Sequence, residues 1–418
     1  MVKKDFEEIS EKMKTINKES PLAIVIGRNY TTRLSLIRAA GLVGCDVVVI
    51  QTQKSQKEIQ LIDASSKYVV DCKLSNEPNQ RELIDLILQY KDDTKKVLLL
   101  PADDYAAASI DLYFNELKDN FLFPHVNNKP GGVLQLMDKY YQKKLAQKAG
   151  FHVAKGWVCK MMDGVYQVPD DIIFPCFTKP QESCYGHLKN YLRRCDTRKD
   201  LENVLSEIAQ IYCEPILIEE YVDIEHEYGV QGTSLNGSPI IPGVVLKDKS
   251  RLGLTATGVI CPILRIPSLK KKLQSFMEKT HFTGIFDVDL YECKGVLYFN
   301  ELNVRLGANG FALIYGVGNV PGIFVKEMLG EHYDISTIPE LFEDKSFASE
   351  KVLKDMYYDN MISYRCFNSY LKEADILSLK YKADNGPYKA FCSNNTFLPL
   401  RKRLHFVKIW AKKRLNYA

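Results

Sequence analysis

Gly284-Ile-Phe-Asp-Val-Asp-Leu-Tyr-Glu-Cys-Lys-Gly-Val-Leu-Tyr-Phe-Asn-Glu-Leu-Asn-Val-Arg-Leu-Gly-Ala-Asn-Gly310 is the stretch that decides the fold. Phe286, Val288 and Leu290 alternate with Asp287 and Asp289, as in a strand with one buried face. Lys294-Gly295 supplies a turn, and the next strand carries Glu301, Asn303 and Arg305 at intervals of two. Residues i, i+2 and i+4 of a strand share a face, so these three point one way while Leu302 and Val304 point the other. A three-residue turn centred on Gly295 predicts Asp289 directly opposite Glu301. Facing carboxylates repel unless a cation lies between them. Asp289, Glu301 and Asn303 make an all-oxygen set suited to magnesium, or to manganese, with water and phosphate in the remaining positions. Arg305 is placed to hold a phosphate oxygen in a bidentate fork. The same pattern also describes an exposed amphipathic ribbon with its charges in water.

Phe299-Asn-Glu-Leu-Asn-Val-Arg305 resembles the Glu-x-Asn-x-Arg strand that closes the nucleotide site of ATP-grasp ligases. That family includes carbamoyl-phosphate synthetase, biotin carboxylase, D-alanine–D-alanine ligase and D-aspartate ligase. Its acidic metal ligand lies on the preceding strand, at the spacing Asp289 has from Glu301. Val304 departs from the proline of many members, but it faces away from the site. Other motifs follow the family's order. Lys139 has a setting similar to the first ATP-contacting lysine, with Lys143 and Lys144 read as solvated charges. Lys179-Pro180 resembles the family's Lys-Pro strand, followed by a phosphate flap at 181–190. That flap has one glycine where relatives often have two or three, and its weak candidates are Ser183, His187 and Lys189. Glu219, Glu220 and Val222 lie in a segment similar to the adenine-binding hinge, and Glu227 corresponds to the acceptor from the ribose hydroxyls. Lys247 matches a basic position lining the phosphate site, with Arg251 beside it. The resemblance thus implies ATP and magnesium as cofactors, with Arg305 and Lys247 as catalytic residues.

The other signals bound the function class. At 418 residues the chain suits two or three domains, and 46% hydrophobic with 26% charged residues is an ordinary globular balance. The first twenty residues are rich in Lys and Glu and lack the apolar core of a signal peptide. No apolar run is long enough to span a bilayer. Eleven scattered cysteines without zinc spacing read as buried thiols of a cytoplasmic protein. Seven of the 56 Lys and Arg fall in residues 400–418, where there is no acid, leaving 49 bases against 52 acids elsewhere. The body therefore has no electrostatic case for nucleic acid. The tail, with Leu404, Val407, Ala411 and Leu415 at helical spacing, reads equally as a helix on the inner membrane face or as one docked on the body.

Apolar runs at 21–27, 45–50 and 97–100 alternate with helical segments, the βαβ pattern of a doubly wound domain. Gly27-Arg28-Asn29 lacks the glycine fingerprint of a dinucleotide site. Pro101-Ala-Asp-Asp104 is similar to the family's Pro-x-x-Asp turn; helix capping and substrate contact are both open to Asp103 and Asp104. The expected fold is α/β and α+β: a doubly wound pre-ATP-grasp domain followed by a two-subdomain ATP-grasp fold. Its expected parts are a charged arm at 1–20, the first domain at 21–130, the small subdomain at 131–222, the large subdomain at 223–345 and an extension at 346–418. The expected activity is ADP-forming carboxylate–amine ligation through an acyl phosphate. Carboxyphosphate or carbamoyl phosphate formation, and a nucleotide-binding protein without catalysis, are the alternatives. The substrates are small or glycan-linked, and a homodimer is compatible with all of this.

Overall fold

The computed structural model describes residues 19–53, 66–162, 165–183, 192–249, 255–334 and 341–378. The candidates His187, Lys189 and Arg251, the arm to residue 18 and the basic 400–418 segment lie outside them.

The first apolar runs become β1 (Leu22–Gly27), β2 (Asp46–Gln53), β3 (Val69–Asn76), β4 (Val97–Pro101) and β5 (Phe121–Leu122). They form a parallel sheet in the order β3-β2-β1-β4-β5, crossed by α1 (Tyr30–Leu42), α2 (Gln80–Leu88) and α3 (Asp104–Leu112). The strand near residue 97 is thus the fourth in chain order, not the third. β3 lies at the sheet edge and interrupts its apolar residues with Asp71, Lys73 and Ser75, so it presents no continuous hydrophobic run. Next comes α4 (Lys139–Lys148), whose N-cap Asp138 accepts from Tyr140 N at 2.8 Å and Tyr141 N at 3.0 Å.

A second, antiparallel sheet has the order β8-β7-β9-β6, with β6 at Gly156–Cys159, β7 at Cys176–Pro180, β8 at Arg194–Cys195 and β9 at Ile216–Glu220. Helix α5 (Arg198–Ala209) puts Leu201, Val204, Leu205 and Ile208 into a core with Trp157 and Ile218.

The third and largest sheet is built around β10 (His226–Leu235), β11 (Val244–Lys249), β12 (Thr255–Cys261), β13 (Phe282–Cys293) and β14 (Val296–Asn303). Their order is β12-β11-β10-β13-β14; His152–Val153 pairs with β14, and β15 (Lys345–Ala348) and β16 (Ile376–Leu377) extend the other edge. Its apolar face buries Phe286, Val288, Leu290, Phe299 and Leu302 against α4 and α6 (Leu269–Thr280). α7 (Gly310–Gly316) and α8 (Val320–Met328) then share a core with the first sheet through Ile314, Phe324, Val325, Val25, Leu36 and Val47. α4 and His152–Val153 pack with the core of the large sheet, and β15 continues that sheet past residue 345.

The decisive hairpin reaches its predicted register by another route. Cys293 pairs directly with Val296, so the turn has two residues, Lys294 and Gly295, with φ of 51° and 73°. A regular ladder from that turn would put Asn300 opposite Asp289. The register instead shifts between Asp289 and Leu290, Asn300 is the extra residue of a bulge, and Glu301 faces Asp289.

Candidate active site

Three adjacent strands display the site in rows. Gly229, Asp289 and Glu301 lie side by side on β10, β13 and β14; Gln231, Asp287 and Asn303 form the next row. The intervening Val288, Leu290 and Leu302 are in the core, which sends the polar positions to the opposite face. On β11, Lys247 lies opposite Glu227. Its ammonium bonds Glu227 Oε1 at 3.2 Å and also reaches Asp289. Gly229 makes that reach feasible: a Cβ there would meet Lys247 Cε at 2.9 Å. Burial opposes the charge on Lys247, but Asp289, Asp287 and Glu227 outweigh it and raise its pKa. Sequence reasoning took Lys247 for a phosphate ligand; the structure surrounds it with carboxylates.

Asn303 is 4% exposed; its Nδ2 donates to Asp289 Oδ2 at 3.4 Å, and its Oδ1 accepts from Arg305 Nη2 at 3.2 Å. Arg305 also pairs with Asp104 Oδ1 through Nε at 3.3 Å. The two acids of the first domain's turn therefore divide their work. Asp103 caps α3, accepting from Ala106 N at 2.9 Å and Arg28 N at 2.5 Å, while Asp104 faces the site. Glu301 is pushed toward protonation by burial, yet Lys139, Lys179, Arg305 and Lys247 prevail and lower its pKa.

The lysines arrive from the other side of the cleft. Lys139 opens α4, donates to Ser183 Oγ at 3.0 Å and lies 3.7 Å from Glu301 Oε2. One turn on, Lys143 is buried and pairs with Glu219 Oε1 at 2.7 Å, so it is not a solvated charge. Burial depresses its pKa to about 8. Lys179 pairs with Glu219 Oε2 at 2.9 Å and donates to Asn300 Oδ1 at 3.2 Å. Glu219 thus links two lysines, which lower its pKa against the effect of burial. Glu220 N donates to the Lys155 carbonyl at 2.9 Å, and Glu220 Oε1 accepts from Lys155 N at 3.0 Å. Tyr221 N in turn donates to the Pro175 carbonyl at 2.9 Å, and Val222 beyond it is half-buried. Gln142 clamps α4 to β14: its amide accepts from Leu302 N and donates to Leu302 O, both at 2.8 Å.

Several of these residues escaped sequence reasoning. Lys143 is four residues from Lys139, hence on the same helix face. Asp287 shares the alternation of Asp289 and was legible in the same way. Asn300 was not, because only the bulge turns it toward Lys179.

The donor set fits a hard divalent cation. Among the described residues, no three His, Cys, Asp or Glu side chains converge closely enough to hold a metal alone. Two carboxylates and an amide leave the other positions to water and phosphate oxygens, as magnesium prefers. The face also has excess negative charge: burial and the neighbouring Asp289 push Asp287 up to about 7, and its Oδ1 has no hydrogen-bond partner.

No family model and no curated protein sequence matches the chain. Solved structures do match. The biotin carboxylase domain of Hydrogenobacter thermophilus 2-oxoglutarate carboxylase, in complex with magnesium–ADP and bicarbonate, superposes with a TM-score of 0.59 at 17% identity, over 79% of this chain and 74% of that one. The two share a fold. N5-carboxyaminoimidazole synthetase from Staphylococcus aureus, complexed with ADP, gives 0.58 at 16% identity over 82% and 85%. An L-amino acid ligase from Bacillus licheniformis gives 0.56 at 14% identity over 79% and 80%. Among the described residues, no helix is long and apolar enough to cross a membrane.

Proposed function

We propose that the chain is an ATP-dependent, ADP-forming carboxylate–amine ligase. The observation that carries this reading is the opposition of Asp289 and Glu301, with Asn303 and Arg305 beside them and Lys139 and Lys179 across the cleft. In this reading the substrate carboxylate attacks the γ-phosphate of ATP, giving an acyl phosphate and ADP, and the amine then displaces phosphate. Lys139 and Lys179 neutralise the phosphates, Arg305 and Lys247 stabilise the transferring group, and Glu227 takes the ribose. Glu219, Glu220 and Val222 belong to the base end, where Glu219 holds Lys143 and Lys179 in place. Asp289, Glu301 and Asn303 would hold magnesium, which supplies charge neutralisation at the phosphates. The likeness in fold to a magnesium–ADP complex supports that nucleotide choice.

The test is ADP release from the full chain over paired panels of carboxylates and amines, with Glu301→Gln as control. The variant should lose turnover while its melting temperature stays within about 3 °C of the parent. Equal turnover would remove Glu301 from the metal site. The solved structures that share the fold include a bicarbonate complex, which favours carboxyphosphate formation as the second reading. Bicarbonate-dependent ADP release without any amine would select it. For the basic 400–418 segment, binding to anionic vesicles that is lost in a chain ending at Pro399 would establish membrane contact.

A further inference from the structure

The acids on the site face are paired with bases, with one exception. Asp289 and Glu227 share Lys247, Glu301 lies near Lys139, Asp104 holds Arg305, and Glu219 holds Lys143 and Lys179. Asp287 has no ion pair among the described residues, is only 5% exposed, and leaves Oδ1 without a hydrogen bond. Directly opposite it on β10 stands Gln231, 2% exposed, whose Oε1 is also without a donor. Two buried acceptors side by side, one of them a carboxylate, call for a cationic group carrying several N–H donors. Gly307 closes the place from above with backbone alone, since a Cβ there would lie 2.3 Å from Asp287 Oδ2 and 2.6 Å from Gln231 Nε2. Arg305, two residues before it, sets the reacting phosphate beside this row in the reading above.

We infer that Asp287 and Gln231 form a subsite for the primary ammonium group of the amine substrate. An ammonium nitrogen supplies three donors and one positive charge, which meets the carboxylate and the amide oxygen together. The identity of the ligand as the nucleophile rests on the ligase reading; the site itself rests on the two unpartnered acceptors.

Methylammonium chloride is the probe, titrated calorimetrically into the full chain held with magnesium–ADP, and tetramethylammonium is its counterpart without N–H groups. The parent should bind methylammonium saturably and tetramethylammonium at least about tenfold more weakly, while Asp287→Asn and Gln231→Leu each weaken methylammonium by about tenfold or more. Magnesium–ADP binding by the same variants reports that the fold and nucleotide site are intact. Absence of saturable methylammonium binding by the parent overturns the subsite, as does equal binding of the two cations or equal affinity in both folded variants. If the subsite binds methylammonium but no carboxylate and amine pair releases ADP, the ligase reading fails and the subsite stands.

Discussion

Asp287 and Asp289 are two positions apart on one strand face, yet their surroundings give them different chemistry. Asp289 has the Lys247 ammonium against it, whereas Asp287 is buried among Asp289, Glu301, Lys247 and Arg305 without a direct ion pair. Burial, and after it the neighbouring Asp289, push its carboxyl up to about 7 from 3.8 for the free group. Between those values the native chain retains a proton that the unfolded chain has lost, so stability falls as pH rises from 3.8 to about 7 and is flat beyond. In a chelating buffer without nucleotide, Asp287→Asn should match the parent's melting temperature near pH 4 and exceed it at pH 8. Parallel melting curves across that range would contradict the shifted carboxyl. The alternation that exposes Asp287 is plain in the sequence; its isolation from a base is not, because Lys247 and Arg305 come from other segments.

The bulge in β14 acts at the scale of the element. Phe299 and Leu302 both enter the core, so Asn300 and Glu301 between them can both serve the polar face. Deleting Asn300 would leave a regular hairpin with the same two-residue turn, Asp289 still opposite Glu301, and Lys179 deprived of one acceptor. The deleted chain should therefore fold and bind ATP roughly tenfold more weakly by calorimetry, the effect of one charge-assisted hydrogen bond. Loss of folding would refute the bulge account, and unchanged affinity would remove Asn300 from the phosphate side. The sequence predicted the Asp289–Glu301 opposition through a three-residue turn. The hairpin instead combines a tighter turn with a bulge, so the pairs between Leu290 and Cys293 differ and the two routes agree only from Asp289–Glu301 onward.

Across the molecule, one apolar core fastens the first domain to the strand that carries the site. Phe324 on α8 is fully buried with Val25 and Leu36 of the first domain and Leu306 just past Arg305. Polar bonds follow the same seam: Arg38 Nη1 donates to the Tyr315 hydroxyl at 3.2 Å, and Asn319 Nδ2 donates to the Ala39 carbonyl at 2.9 Å. This seam holds Asp104 against Arg305. Phe324→Ala should cost about 3–5 kcal/mol of stability, the usual loss for a large buried ring. Urea unfolding followed by far-ultraviolet circular dichroism measures it, and a midpoint equal to the parent's would deny the shared core. The variant should also weaken ADP release, since the Asp104–Arg305 contact crosses the same seam.

The sequence by itself determined the strand faces, because alternation with a period of two separates Asp289, Glu301, Asn303 and Arg305 from the apolar residues that bury them. It also determined the βαβ character of the first domain, since buried parallel strands need continuous apolar runs. Tertiary structure alone decided the partners. Lys247 joined the carboxylates because Gly229 leaves a gap, Lys143 became a buried ion because Glu219 arrives from another sheet, and Asp104 turned to Arg305 because two domains share a core. A local pattern records which way a side chain points, and what it meets there depends on residues tens to hundreds of positions away.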